Sequence, residues 1–243
     1  MGRNSSLNRA ILFDLDGVLI DSMGSHASTW CKAVKTHLNI DIPEAYFFLN
    51  EGRNAKAIVS DLIQKNQLDV DENTWQVVSD YCDQLFLEDF TPRLVDGARD
   101  LVMAVHSYGY RLGVATGSTR FVLNDMLSKT GMLGYFSAFV SADDVEFSKP
   151  HPQPYRLLLQ QLQTSAECAL VIENAPLGVD SAMAADLICL AVATTNEPDV
   201  LSHATNVFLT LDEIKKYLEN EFSQTRGFGV WSLKEPTKEF HAS

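Results

Sequence analysis

Ile11-Leu12-Phe13-Asp14-Leu15-Asp16-Gly17-Val18-Leu19-Ile20-Asp21-Ser22 decides how this chain is read. The apolar run from Ala10 to Phe13 has the length and type of a strand buried on both faces. It stops at two carboxylates spaced i, i+2, with a glycine immediately after. Side-chain direction repeats every second residue of extended chain, so Asp14 and Asp16 point the same way. Like charges that close repel, and a hard divalent cation such as Mg²⁺ offsets them. Gly17 lets the backbone turn sharply off the strand end. An ordinary Asp-Gly turn would explain the stretch taken by itself. The rest of the chain separates the two readings.

At 243 residues the chain accommodates one or two domains and a sizeable core. A hydrophobic share of 46% describes a globular protein. The net charge of −13 argues against nucleic acid as a partner, because phosphate backbones recruit Lys and Arg. Small phosphorylated molecules remain open, since they need only a few local cations. No basic segment followed by an apolar one opens the chain, and no apolar run reaches membrane-spanning length. A cytoplasmic protein with no membrane partner, a monomer or weak dimer, is the expectation. Cys31, Cys82, Cys168 and Cys189 show no paired spacing and read as reduced core residues. Asn4-Ser5-Ser6 matches a glycosylation sequon, which in the absence of a secretion signal reads as chance.

Residues 1–9 are polar and read as frayed. Beyond the opening stretch the apolar period switches to that of helices. Trp30, Val34 and Leu38 fall on one face, Ile58 and Leu62 on a second, and Trp75, Val78, Cys82 and Leu85 on a third that Asp71 is placed to cap. Residues 21–93 therefore read as an all-helical insertion. From Leu94 strands and helices alternate. Strands are expected at 111–116, 136–141, 169–172, 188–193 and 207–209. Helices are expected around 101–105 and at 119–130, 178–186 and 212–222, with one more starting near Pro152 and burying Tyr155, Leu158, Leu159 and Leu162. Such alternation builds an α/β, doubly wound, mainly parallel sheet covered on both faces. The core is then 1–20 with 94–222, and 223–243 is a loosely attached tail. The tail's Gly227-Phe228-Gly229 lacks the third glycine and the preceding strand of a dinucleotide fingerprint.

Open parallel sheets bind ligands beyond the carboxyl ends of their strands. The first strand ends in Asp14 and Asp16, and the second in Thr116-Gly117-Ser118. The loop after the third carries Ser148-Lys149-Pro150, and the fourth ends in Glu173-Asn174. Four such ends in register offer a carboxylate pair, a hydroxyl, an ammonium and an oxygen ligand, which is hard to read as accident.

These four motifs, in this order from about residue 10 to 215, resemble the haloacid dehalogenase superfamily. Asp14-Leu15-Asp16-Gly17 with Lys149-Pro150 is the specific part of the match. Val171-Ile172-Glu173-Asn174-Ala175-Pro176-Leu177-Gly178 is similar to the β-phosphoglucomutase-like branch, and the helical insertion looks like that superfamily's C1 cap. The resemblance implies that Asp14 attacks phosphorus to form an aspartyl-phosphate and that Asp16 serves as acid and then base. Thr116, with the backbone at Gly117 and Ser118, would hold the phosphoryl oxygens, and Lys149 would supply fixed positive charge. Mg²⁺ would be bound by Asp14, the Asp16 carbonyl and Asn174. Asn174 departs from the acid common in that family. Glu173 can compensate by holding Lys149 or by reaching the metal through water.

Substrate choice is assigned to the insertion. His26 is placed between core and cap, to bond substrate or Asp16, or simply to begin a helix. Asn50-Glu51-Gly52-Arg53 reads as a loop of the kind related caps present to the site. Arg53 suits a second phosphate or a carboxylate. Glu51 with Asn174 resembles haloacid dehalogenase-type inorganic pyrophosphatases, where a cap glutamate joins the metal shell. No Lys or Arg lies between Gln67 and Pro92, which disfavours a phosphomutase. The leading expectation is a Mg²⁺-dependent phosphohydrolase of a small phosphorylated metabolite or pyrophosphate. The alternatives are a β-phosphoglucomutase-type hexose-phosphate mutase and a non-catalytic phospho-acceptor or scaffold.

Overall fold

The computed structural model describes residues 9–224. The readings of residues 1–8, with the sequon, and of 225–243, with Gly227-Phe228-Gly229, lie outside the described residues. Six strands, β1 (Ala10–Phe13), β2 (Arg111–Ala115), β3 (Ala138–Val140), β4 (Ala169–Glu173), β5 (Ile188–Val192) and β6 (Asn206–Phe208), form one sheet in the order β3-β2-β1-β4-β5-β6. Every pairing is parallel, with Ala10 opposite Arg111 on one side and Ala169 on the other. The fold class is as expected, α/β and doubly wound, and the sheet is wholly parallel.

The strands are apolar throughout because both faces are covered. Ile11, Phe13, Leu112, Val114, Leu170, Ile172, Leu190 and Val192 share one cluster with α5 (Ala98–Ser107), α6 (Arg120–Lys129) and α9 (Leu211–Gln224). On the opposite face Ala10, Leu12, Val171, Cys189 and Ala191 pack with α7 (Gln153–Leu162) and α8 (Pro176–Ala184). Tyr155, Leu158, Leu159 and Leu162 of α7 are buried as their spacing required. Helix α9 runs to Gln224, two residues past the expected end, so Ser223 is helix and not tail.

Between β1 and α5 the chain makes four helices, α1 (Met23–Leu38), α2 (Glu44–Phe48), α3 (Ala55–Lys65) and α4 (Thr74–Asp89). Trp30, Val34, Leu38, Ile58, Val59, Leu62, Val78 and Cys82 form their own apolar cluster. Helix α2 has five residues and none is buried, so no period announced it. Asp71 does not cap α4. It accepts instead from the backbone N–H of Asn73 at 2.7 Å, closing the turn before the helix. Leu85 is half-buried, and its neighbour Phe86 is the residue fully enclosed, packed with the sheet cluster. Cys31 and Cys168 are also half-buried rather than core; all four cysteines are free thiols. The two connections to this insertion run side by side: Asp21 N–H donates to the Arg93 carbonyl and Val95 N–H to that of Leu19, each at 3.0 Å. Among the described residues no helix is long and apolar enough to cross a membrane.

Helix α7 presses close on Gly113 of β2. A Cβ there would meet Leu158 Cδ1 at 2.9 Å and Leu162 Cδ1 at 3.0 Å. Gly113→Ala should destabilise the fold by about 1–3 kcal/mol through overpacking. A thermal melt should register this at roughly 2–4 °C per kcal/mol for a domain of this size; an unchanged melting temperature would mean that α7 has slack.

Candidate active site

Strand order reverses at β1, whose neighbours β2 and β4 lead the chain away in opposite directions. The crevice at such a point, off the carboxyl ends of the strands, is where open α/β sheets bind ligands. Asp14 leaves the end of β1, Thr116 the end of β2, and Glu173 and Asn174 the end of β4. Lys149 arrives from the loop before α7. All five are buried.

Lys149 organises the set. Its Nζ donates to Asp14 Oδ1, to Glu173 Oε1 at 2.6 Å and to the Ala115 carbonyl at 3.1 Å. Tyr155, enclosed in α7, donates its hydroxyl to the same Glu173 oxygen at 2.6 Å and sets its ring 5.1 Å from the ammonium. Glu173 Oε2 accepts the backbone N–H groups of Asn174 and Ala175. Of the two roles open to Glu173, the structure has it in the first, holding Lys149. Burial alone would lower the Lys149 pKa, but Asp14 and Glu173 more than reverse this and hold the ammonium charged. Gly178 makes room for the arrangement, since a Cβ there would overlap the Glu173 carboxylate.

Asp16 sits in a ring of donors. Ser22 Oγ donates to its Oδ1 at 2.6 Å, and Thr116 and Ser118 hydroxyls donate to Oδ2 at 3.0 and 2.9 Å. His26 Nε2 lies 2.9 Å from Oδ1. Burial pushes this carboxyl up, yet the His26 charge and these bonds outweigh it and hold Asp16 down at about 2. The His26 ring stacks on Phe86 with centroids 3.9 Å apart. So His26 contacts Asp16, one of the partners expected for it, and the Thr116 and Ser118 hydroxyls face Asp16 here.

The loop after α2 descends onto this rim. A Cβ on Gly52 would meet Lys149 Cδ at 3.0 Å, and one on Gly117 would meet the Gly52 and Arg53 carbonyls at 3.0 Å. Glu51 is 5% exposed and accepts from Asn174 Nδ2. Arg53 lines the same cavity, but its guanidinium is engaged within the insertion, by Asp61 and Asn50 at 2.8 Å each and by the Ala57 carbonyl. Sequence reasoning passed over Thr195 and Asn196. Thr195 Oγ1 accepts from Asn174 Nδ2 at 2.7 Å, and Asn196 Nδ2 donates to the Asn174 carbonyl at 3.0 Å. Polar residues just past β5 follow the same strand-end rule and were there to be found. Tyr155 gave no such signal, because its spacing marked it only as core.

The residues fit a divalent cation. Asn174 Oδ1 is buried and has no hydrogen-bond partner, while the amide's other end is fixed by Glu51 and Thr195. Burial raises Asp14, Lys149 pulls it down, and Glu173 and Asp16 push it up again, leaving it above the ordinary carboxylate range. Glu51 is raised further by burial and by Asp14. The buried carboxylates here outnumber the buried ammonium among the described residues, and the Asn174 oxygen is left unpartnered. Among the described residues no three His, Cys, Asp or Glu side chains converge as a metal cage. Mg²⁺ does not ask for one: it takes one or two carboxylates and completes its shell with neutral oxygens, water and phosphate.

Above this rim opens a cavity of about 910 Å³, walled by Trp30, Phe47 and Trp75 from the insertion and by Phe121 and Val145 from the core. Lys56, not singled out in the sequence, also lines it, with its ammonium 5.9 Å from the Trp75 ring.

Residues 11–192 match the model of the haloacid dehalogenase-like hydrolases. The chain belongs to that family and is an enzyme of the hydrolase type. It is 28% identical over 209 residues to validoxylamine A 7'-phosphate phosphatase of Streptomyces hygroscopicus subsp. limoneus, spanning 85% of this chain and 96% of the relative. It is 29% identical over 180 residues to fructose-1-phosphate phosphatase YqaB of Escherichia coli, spanning 73% and 92%. A solved structure called a putative β-phosphoglucomutase, from Bacteroides vulgatus, superposes with a TM-score of 0.79 at 30% identity, covering 89% of each chain.

The carboxyl shifts set a pH signature for any divalent cation bound among them. A carboxyl raised on folding stabilises the fold below its ordinary value of 3.8, and that contribution is lost as pH rises through the elevated value. Asp16, lowered to about 2, contributes evenly across the range above 3.8 and does not change the comparison. Mg²⁺ should therefore raise the melting temperature more at mildly alkaline than at mildly acidic pH. Asp14→Asn should shrink that difference; a Mg²⁺ effect that is flat with pH would remove these carboxylates from the metal's surroundings.

Proposed function

We propose that this enzyme is a Mg²⁺-dependent phosphohydrolase that cleaves the monoester of a small, ring-sized organic phosphate through an aspartyl-phosphate on Asp14. The chain Asp14–Lys149–Glu173 beside the unpartnered Asn174 oxygen carries the reading. It is the arrangement a carboxylate needs to meet a polyanion, with fixed positive charge behind it and an oxygen site open to a cation.

Asp14 would attack phosphorus while the bond to the leaving oxygen breaks, splitting one hard displacement into two. Lys149 keeps Asp14 oriented and offsets charge on the phosphoryl group. Exchanging the His26 and Ser22 contacts for substrate would remove interactions that hold Asp16 ionised, so that it would meet the leaving oxygen protonated and give its proton there. Ionised once more, it would then take a proton from the water that attacks phosphorus and frees Asp14. Thr116, Ser118 and the Gly117 amide border the phosphoryl position. Mg²⁺, when bound through Asp14, the Asp16 carbonyl and Asn174 with Glu51 adjacent, would supply electrostatic neutralisation of the phosphoryl oxygens. Helices α1–α4 act as the cap in this reading, closing over the leaving group.

Cavity size favours an organic leaving group over pyrophosphate, because about 910 Å³ walled by tryptophans is the scale of a whole metabolite. The Glu51–Asn174 contact keeps pyrophosphate as the second substrate worth assaying.

Purified protein should release phosphate from part of a panel of sugar and polyol monophosphates plus pyrophosphate, with no isomer formed. Asp14→Asn should reduce release by on the order of 10⁴-fold or more, as loss of a covalent nucleophile does. Equal release by the variant would remove the mechanism, and an isomeric sugar phosphate as product would replace hydrolysis by mutation.

A further inference from the structure

We propose that Asp83 determines specificity at this site: its carboxylate stands in the cavity wall where a second phosphate would otherwise be received, so the enzyme admits singly phosphorylated substrates and turns away bisphosphates. The inference rests on the phosphohydrolase reading and deepens it.

Asp83 lies on α4 and lines the leaving-group cavity. Its Oδ2 accepts from the hydroxyl of Thr119 at 2.6 Å, across the boundary between insertion and core. Thr119 is the residue that starts α6, and its Oγ1 also receives the Val122 N–H at 3.4 Å. A helix start of this kind is the natural place for a substrate anion, since its N–H groups and dipole favour negative charge. Here the protein has filled it. Asp143 Oδ2 takes the Arg120 N–H at 2.7 Å, Thr119 takes that of Val122, and Asp83 lies against Thr119. Two carboxylates of the chain itself hold the ground.

The surrounding charges point the same way. Asp80, Glu88 and Glu146 join Asp83 and Asp143 on the wall. Of the cations that line the cavity, Arg53 is ion-paired to Asp61 at 2.8 Å, His26 is bonded to Asp16, and Lys56 lies over the Trp75 ring. Burial lifts Asp83 to about 6, with the Thr119 bond and the His26 charge opposing and Asp143 and Asp80 adding to the rise. At neutral pH it is still ionised, half-buried, and pinned by Thr119. A sugar whose second phosphate enters this space meets like charge in a poorly solvated wall, the kind of juxtaposition that rejects a ligand.

The test measures inhibition of p-nitrophenyl phosphate hydrolysis, in the presence of Mg²⁺, by fructose 1-phosphate and by fructose 1,6-bisphosphate. The wild type should bind the bisphosphate at least about tenfold more weakly than the monophosphate. Asp83→Asn, which keeps an acceptor for Thr119, should bring the ratio towards one, and Asp83→Lys should invert it. Thr119→Val leaves the carboxylate but unpins it, and the ratio should fall part of the way. Equal binding of the two by the wild type, binding of neither, or a ratio that no Asp83 variant moves overturns the proposal. Absence of any phosphate release from p-nitrophenyl phosphate and the ester panel would instead overturn the reading on which it rests.

Discussion

Everything at the rim of this sheet depends on one buried ammonium. Lys149 is 2% exposed and is committed to two carboxylates and a carbonyl. An ion so placed has lost its water, and the geometry around it must return what solvation gave. That explains features that otherwise look unrelated. Tyr155, enclosed in α7, gives Glu173 Oε1 a second donor beside Lys149. Position 178 is glycine because the Glu173 carboxylate occupies the space of its Cβ. Gly52 passes over the lysine stem because a Cβ would press on it.

The second constraint is an excess of negative charge beside that ammonium. Asp14, Asp16, Glu51 and Glu173 are all buried within one crevice. Two of them are satisfied by the protein: Glu173 by Lys149, Tyr155 and backbone amides, and Asp16 by its ring of hydroxyls and His26. Asp14 shares Lys149 with Glu173, Glu51 accepts from the Asn174 and Asn196 amides, and both are pushed upward by burial and by their neighbours. The crevice is thus divided between Asp16 and Glu173, held ionised by the fold's own donors, and Asp14 and Glu51, whose charge the fold disfavours. Asn174 stands on that divide, with its amide nitrogen spent on the protein and its oxygen unspent.

Much of this was legible in the sequence, for identifiable reasons. The strands could be read because a sheet covered on both faces leaves unbroken apolar runs such as Ala10–Phe13 and Ala169–Ile172. Asp14, Thr116 and Glu173-Asn174 could be read because a parallel sheet brings its carboxyl ends to one edge, and Lys149 because it stands in the loop past β3. What escaped was set by register across elements rather than by pattern along one. Tyr155 carries its role on the hydroxyl, whereas periodicity sees only the ring. Thr195 and Asn196 matter because β5 lies beside β4. Asp71 had the right type for a cap, but the chain turns two residues before α4 begins. Asp83 carried no signal along α4, because its partner Thr119 stands at the start of α6.

The paired connections at residues 19–21 and 93–95 have a mechanical meaning. Two backbone segments bonded to each other form a narrow ribbon, which bends far more readily than it shears. The seventy-odd residues hung from it therefore have, in effect, one axis to swing about. A swing of that kind would part Glu51 and Asp83 from Asn174 and Thr119 and leave Asp14, Lys149 and Glu173 bonded to one another. In the phosphohydrolase proposed above, the bond-breaking half would stand still and the choosing half would hang on a door, which substitutions could rework without touching the frame.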